Sequence, residues 1–285
     1  MIIDKLFDAV EKCGPVCVGL DTSPKLLPQV LAAEPAIPSA ILEFNRKIID
    51  ATLDLVSCYK VQIAHYESLG VEGLSCYRDT IRYARDKGTI VIGDIKRGDI
   101  ASTGEMYARA HFSGDFETDF VTLNAYMGSD AIAPFLPYLE QKEKGVFILI
   151  RTSNVSAKDF QDLHCVNQPL FMHVARRVSE WGKDYRGSCG YSLIGGVVGA
   201  IKSQELATIR QSFPGLFLLI PGYGAQGAGG QEVSKAFIHG NGALINASRS
   251  ILGAHKNRAD AERRFDEYAR EATLRMKRDI RQWTR

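Results

Sequence analysis

The chain has no apolar run approaching the roughly eighteen residues a membrane-spanning helix needs. Its charge is not of one sign either. Thirty-five Lys and Arg against 33 Asp and Glu leave a net +2 over 285 residues, which gives no reason to expect nucleic acid as a partner. Ten Lys and Arg against six Asp and Glu fall between Lys256 and Arg285, so the rest of the chain is slightly acidic, and this basic tail reads as the solvated face of a terminal helix. The six cysteines (Cys13, Cys17, Cys58, Cys76, Cys165, Cys189) form no C-x-x-C pair. That favours free thiols in a reducing cytosol over a disulfide scaffold. No H-x-x-H or H-E-x-x-H is present, so His65, His111 and His173 read as structural histidines and no metal centre is expected. Ser153 has no evident base and acid partner, which excludes a nucleophile triad. Linkers rich in Pro, Gly or Ser and low-complexity segments are absent as well, so a single domain is expected. Residues 1–12 alternate Ile3, Leu6, Phe7 and Val10 with charges, an amphipathic helix pattern and not that of a signal peptide.

What is present is a repeating pattern. Eight short apolar runs recur: Val16–Leu20, Cys58–Ile63, Thr89–Asp94, Phe120–Leu123, Val146–Ile150, Ser192–Val198, Leu216–Ile220 and Gly242–Asn246. Continuous apolar character suits parallel strands buried on both faces. Amphipathic helix patterns follow them, over Ala40–Asp54, Gly73–Lys87, Gly104–Phe112, Asp130–Gln141, Gln168–Trp181, Ser203–Phe213, Gly229–His239 and Asn257–Trp283. Eight strand–helix units point to an α/β fold, a (β/α)8 TIM barrel, over a doubly wound open sheet.

Active sites of such barrels lie at the C-terminal ends of the strands. The residues after the runs are Asp21; Lys60 and Gln62; Asp94, Lys96 and Asp99; Arg151 to Asn154; Pro221 to Gly227; and Ala247 to Ser250. Residues two apart on a strand share a face, so Asp94 and Lys96 should point the same way, with Asp99 just beyond. Lys60, Asp94, Lys96 and Asp99 alternate in sign, and a network could keep all four ionised. A structural salt-bridge network at the barrel rim satisfies the same spacing. A lysine flanked by carboxylates stays protonated, which suits a proton donor and not a Schiff base. Gly222, Gly224 and Gly227 free the backbone to turn amides towards an anion, and Arg249 can clamp phosphate oxygens. Loops after the seventh and eighth strands are a frequent phosphate site in these barrels.

The run Asp94-Ile95-Lys96-Arg97-Gly98-Asp99-Ile100, followed by Ser102-Thr103, closely resembles the signature of orotidine 5′-phosphate decarboxylases. Pro221-Gly222-Tyr223-Gly224-Ala225-Gln226-Gly227 matches that family's phosphate loop, and Asp21, Lys60 and Arg249 fall in the expected order. The resemblance spans nearly the whole chain and points to the longer bacterial branch. It implies decarboxylation of orotidine 5′-monophosphate to UMP, the last step of de novo pyrimidine synthesis, without cofactor, in a cytoplasmic homodimer with shared active sites. On that resemblance Lys96 protonates C6 of the pyrimidine, Asp94 sits beside the substrate carboxylate and orients Lys96, and Lys60 holds Asp94 and the ribose hydroxyls. Asp99 and Thr103 would reach the partner's site, and Ile100 joins the substrate-binding set. Asp21 would bind ribose, Ser153 and Asn154 the pyrimidine, and Gln226 and Arg249 the phosphate.

Two positions depart from the family pattern: Val155-Ser156 stands where many relatives have Pro-Gly, and Ser248 where many shorter members have Gly. Two other readings compete with this one. A related magnesium-dependent 3-keto-L-gulonate 6-phosphate decarboxylase would need an acid where Lys60 stands, and a cation there repels a divalent metal. A non-catalytic nucleotide-binding barrel would be marked by loss of Lys96 or Asp94, and both are present.

Overall fold

In the computed structural model, residues 1–34, 36–200, 203–224 and 227–284 are described. Parallel strands β1 (Val16–Gly19), β2 (Cys58–Gln62), β3 (Ile90–Arg97), β4 (Phe120–Leu123), β5 (Gly145–Arg151), β6 (Ile194–Val198), β7 (Leu218–Pro221) and β8 (Ala243–Ala247) close into a barrel. They are neighbours in chain order, and β8 pairs with β1 through Val16 and Ile245. Burial follows from the architecture: helices cover the outside and side chains fill the inside, so β1, β4, β6 and β8 are buried at every position. This is why the strands read as unbroken apolar runs.

The helices differ from expectation where proline and glycine intervene. The pattern over Asp130–Gln141 becomes 3-10 turns Gly128–Ala131 and Ala133–Phe135 and a helix Leu136–Glu140. Pro134 and Pro137 occupy first-turn positions of the last two pieces, where a missing N–H costs nothing. The pattern over Gly229–His239 gives a single turn, Gly230–Val233, and a 3-10 turn, Ser234–Ala236. The last helix runs Ala261–Trp283 with a non-helical residue at Arg264. An antiparallel hairpin not foreseen in the sequence, His164–Cys165 with Gln168–Pro169, lies between β5 and the helix Leu170–Trp181.

The first helix, Ile2–Cys13, closes the barrel at the end where the strands begin. Its Ile2 amide donates to Lys142 O, and Asp4 Oδ1 accepts the amide of Cys189. Asn241 donates to Phe7 O at 3.1 Å. The last helix packs along Ile37–Thr52, where Phe265 stacks on Phe44 with ring centres 5.1 Å apart. Its basic excess is solvated in part, as expected: Arg275 and Arg264 pair with acids one turn away. Arg270 instead reaches Asp54 of another element at 2.8 Å.

The interior leaves little slack at Gly195 on β6. A Cβ there would lie 2.5 Å from the carbonyl oxygen of Phe217 and 2.8 Å from the Phe147 ring. Backbone is the nearest obstacle, so a substitution has to move the chain where it enters β7. Gly195→Ala is expected to lower stability by about 1–3 kcal/mol, the usual cost of overpacking. Chemical denaturation checks this, and an unchanged midpoint would show that the strands yield at this point.

Candidate active site

Lys60, on β2, is 3% exposed, and Asp94, on β3, is 6% exposed. The Lys60 ammonium sits 2.9 Å from Asp94 Oδ2 and 3.0 Å from Asp21 Oδ1. Asp94 Oδ1 faces the Lys96 ammonium at 2.6 Å. Asp21, Lys60, Asp94 and Lys96 thus form a chain of alternating charge across the ends of β1, β2 and β3. Burial alone would neutralise such groups. Here the neighbouring ammonium groups and their hydrogen bonds outweigh desolvation and hold the Asp94 carboxyl far below the usual carboxylate range. Lys60 is likewise pushed up: burial opposes its charge, and Asp21 and Asp94 more than offset it. Lys96 differs in being open to solvent, its side chain 45% exposed, with its ammonium at the rim.

The expected meeting of Asp94 and Lys96 occurs, but simple strand alternation does not produce it. β3 runs on to Arg97, and its pairing with β4 shifts: Gly93 faces Val121 and Arg97 faces Leu123, so four positions along β3 match two along β4. Such a bulge re-aims side chains. Lys96 lies in the left-handed region at φ 46°, uncommon for a residue with a side chain. Thr122 of β4, 1% exposed, fills the gap: its hydroxyl accepts the Lys96 amide at 3.0 Å and donates to Asp94 Oδ1 at 2.8 Å. This role for Thr122 is not legible in the chain, because a lone threonine in an apolar run reads as a strand former.

On the opposite side, Asp21 is fixed by the end of β1. Leu20 N–H donates to Lys60 O, and Tyr66 donates to Leu20 O. Ser248 Oγ donates to Asp21 Oδ2 at 2.7 Å, so the residue that departs from the family's glycine binds an acid of the array. Arg249 follows, exposed, and among the described residues its guanidinium has no ion-pair partner. The strand-7 loop lies alongside: a Cβ on Gly224 would be 3.4 Å from Ser250. Gly222, Gly224 and Gly227 all have positive φ, as tight turns require. Two of the amides foreseen for an anion are used inside the loop, Gly224 N–H on Ala228 O and Gly227 N–H on Gly224 O. Gln226 lies outside the described residues. The loop is tied to the last helix, since Asp279 Oδ2 accepts both the Tyr223 hydroxyl at 2.6 Å and the Gly230 amide at 2.7 Å. Nothing in the sequence indicated that link, because it joins residues 49 and 56 positions apart.

Ser153 and Asn154 leave β5 on the rim of a 280 Å³ cavity that also takes in Arg151, Val155 and Gly199. Asn154 Oδ1 accepts the Thr152 hydroxyl. Beneath them Arg151, 4% exposed, pairs with Glu205 and Asp162, each at 2.7 Å. Val155 opens a 3-10 turn, Val155–Asp159, so the departure from Pro-Gly leaves the polar groups of 153 and 154 at the cavity.

Asp99 lies outside the charge network of its own chain. Its Oδ1 accepts the amide of the next residue, and among the described residues it makes no ion pair. Ile100 is 48% exposed, and Thr103 is exposed on the first turn of the helix Ala101–Phe112. Among the described residues, none of the three hydrogen-bonds or ion-pairs with the array of its own chain. The histidines behave as foreseen: His111 is buried and held neutral, pushed down to about 4 by burial and by Arg97, and His173 bonds Cys165 O. Among the described residues no cluster of three or more His, Cys, Asp or Glu is placed to hold a metal.

Comparison with known proteins agrees with this geometry. The model of the orotidine 5′-phosphate decarboxylase / HUMPS family matches residues 14–264. The chain belongs to that family. It is 53% identical over 283 residues to orotidine 5′-phosphate decarboxylase of Petrotoga mobilis, covering 98% of each chain. It is 50% identical over 282 residues to the enzyme of that name from Clostridium kluyveri, covering 98% of this chain and 97% of the relative. Among solved structures it is similar to Leishmania donovani OMP decarboxylase, with a TM-score of 0.74 at 29% identity over 96% of this chain and 98% of that one. The expected family and barrel are both borne out.

Because Asp94 is more acidic folded than unfolded, its ionised form contributes stability that is fully present above the ordinary carboxylate range near 3.8 and is lost as pH falls below it. Denaturation midpoints measured from pH 7 down to 3 should therefore fall less steeply for Asp94→Asn than for the unaltered protein. Parallel acid limbs would show that Asp94 is not held ionised by its lysines.

Proposed function

We propose that this chain is an enzyme that decarboxylates orotidine 5′-monophosphate to UMP and carbon dioxide, the last step of de novo pyrimidine synthesis, with no metal or cofactor. The observation that carries this reading is Lys96: an ammonium at the barrel mouth, 2.6 Å from a buried carboxylate that is itself held by Lys60. Loss of carbon dioxide breaks the bond to C6 and leaves its electron pair on a ring carbon with no nearby electron sink. A fixed ammonium beside C6 stabilises that charge and then transfers its proton there. The amine left behind regains a proton from solvent. Asp94 lies beside the substrate carboxylate and keeps the Lys96 ammonium aimed. Lys60 and Asp21 take the ribose hydroxyls, Ser153 and Asn154 the pyrimidine, and Arg249 with Gln226 the phosphate. The phosphate is remote from the reacting carbon, so its binding energy can hold the base in place and close the strand-7 loop over it.

Asp99, Ile100 and Thr103 complete the site of a second copy in a homodimer. The supporting observations are that Asp99 makes no ion pair with its own array among the described residues, that Ile100 and Thr103 are exposed, and that Ile100 borders an 820 Å³ groove with Met106, Arg109, Pro134 and Tyr138. The cytoplasm is the proposed location, in keeping with six cysteines that form no disulfide. A magnesium-dependent sugar-phosphate reaction is disfavoured by Lys60, whose ammonium occupies the space between Asp21 and Asp94 where a divalent cation would have to sit.

Lys96→Ala and Asp99→Ala should each fold, and each alone should release almost no carbon dioxide from orotidine 5′-monophosphate. A mixture should regain part of the activity, because one site of each mixed dimer has both residues intact. Near-normal turnover by Lys96→Ala would remove the proton donor from this account. Mixed dimers that form without regaining activity would overturn the shared site.

A further inference from the structure

We propose that Thr122 is a positioning residue for this site: its hydroxyl locks the Asp94 carboxylate and the Lys96 backbone into one arrangement. The inference rests on the decarboxylase reading above.

The argument begins with hydrogen-bond polarity. A backbone amide can only donate, and the Lys96 amide lies 3.0 Å from Thr122 Oγ1. The hydroxyl therefore spends a lone pair on Lys96, and its single proton is left for Asp94 Oδ1 at 2.8 Å. It cannot reverse this assignment without leaving the part-buried Lys96 amide unpaired. Asp94 Oδ1 thus accepts from Thr122 and from the Lys96 ammonium, and Oδ2 from Lys60. Three donors from β2, β3 and β4 fix both the orientation and the charge of one carboxylate.

The same hydroxyl makes the bulge possible. Between Gly93 and Arg97 the β3–β4 ladder loses its register. The Lys96 amide takes a side-chain oxygen of β4 as its acceptor there. That contact anchors a non-glycine residue at φ 46°, and the bulged backbone carries the ammonium that meets Asp94. Without the anchor, Lys96 can relax towards ordinary strand geometry and take its side chain with it. A substrate carboxylate arriving beside Asp94 would otherwise be relieved by rotation or protonation of Asp94, and the Thr122 proton opposes both.

Thr122→Val keeps the shape of the side chain and removes the hydroxyl, and Thr122→Ser keeps the hydroxyl. Circular dichroism and thermal melting establish that each is folded. For orotidine 5′-monophosphate, Thr122→Val should show kcat about 10–100-fold lower with KM little changed, the loss expected for a buried hydrogen bond needed at the transition state. The acid limb of its pH profile should move to higher pH, and Thr122→Ser should recover most of kcat and the original profile. A folded Thr122→Val with unaltered kcat and pH profile overturns the proposal, as does a folded Thr122→Ser no better than Thr122→Val. If Thr122→Val does not fold, Thr122→Ala replaces it and is judged the same way. A readout independent of turnover separates this inference from the functional reading. Followed by 13C NMR, the Asp94 carboxyl should protonate at higher pH in Thr122→Val than in the unaltered protein or Thr122→Ser. That shift in a protein that fails to turn over orotidine 5′-monophosphate would sink the functional reading and leave the lock standing. Turnover without the shift would sink the lock.

Discussion

Lys60 is an ammonium almost wholly out of water, and it is stable there only because carboxylates stand on both sides of it. Removing Asp94 would leave the buried Lys60 charge with Asp21 alone, and breaking a buried pair in this way costs about 3–5 kcal/mol. The rest of the site is arranged around this constraint. Asp94 is held ionised by Lys60 and so can hold Lys96. Asp21 is tied to Lys60 on one oxygen and to Ser248 on the other. Strands β1, β2, β3 and β4 and the turn after β8 each supply one or two members, so the array exists only once the barrel has closed.

The closed barrel explains why such a costly arrangement persists. Apolar packing on both faces of every strand fixes the strand ends, and the charged groups ride on a scaffold they do not need to stabilise. The first helix seals the end away from the site, and the last helix reaches round to hold the strand-7 loop through Asp279. Rigid elements carry the reacting groups, and loops carry the groups assigned to phosphate and pyrimidine. That division suits a reaction in which charge must be in place before the bond breaks.

Much of this was legible in the chain. Eight apolar runs gave eight strands because parallel barrel strands are buried on both faces, and their ends located Asp21, Lys60, Asp94 and Lys96. Two kinds of feature stayed hidden. Local irregularity was one: the bulge at Lys96 depends on register with β4, and no period in the sequence encodes a left-handed lysine. Long-range hydrogen bonds were the other. Thr122 on Asp94, Ser248 on Asp21 and Asp279 on Tyr223 each join elements whose adjacency appears only in three dimensions. Asp99 shows the reverse case: its position in the motif suggested a member of the array, and within its own chain it stands outside it.

The central claim is that the Lys96 ammonium meets the charge that forms on C6. A crystal structure with a UMP analogue bearing an anionic oxygen on C6 tests it most directly. The account predicts Lys96 Nζ within hydrogen-bond reach of that oxygen, about 3 Å, with Asp94 still bound to Lys60. Lys96 pointing away from the pyrimidine, with another group against the C6 oxygen, would contradict it.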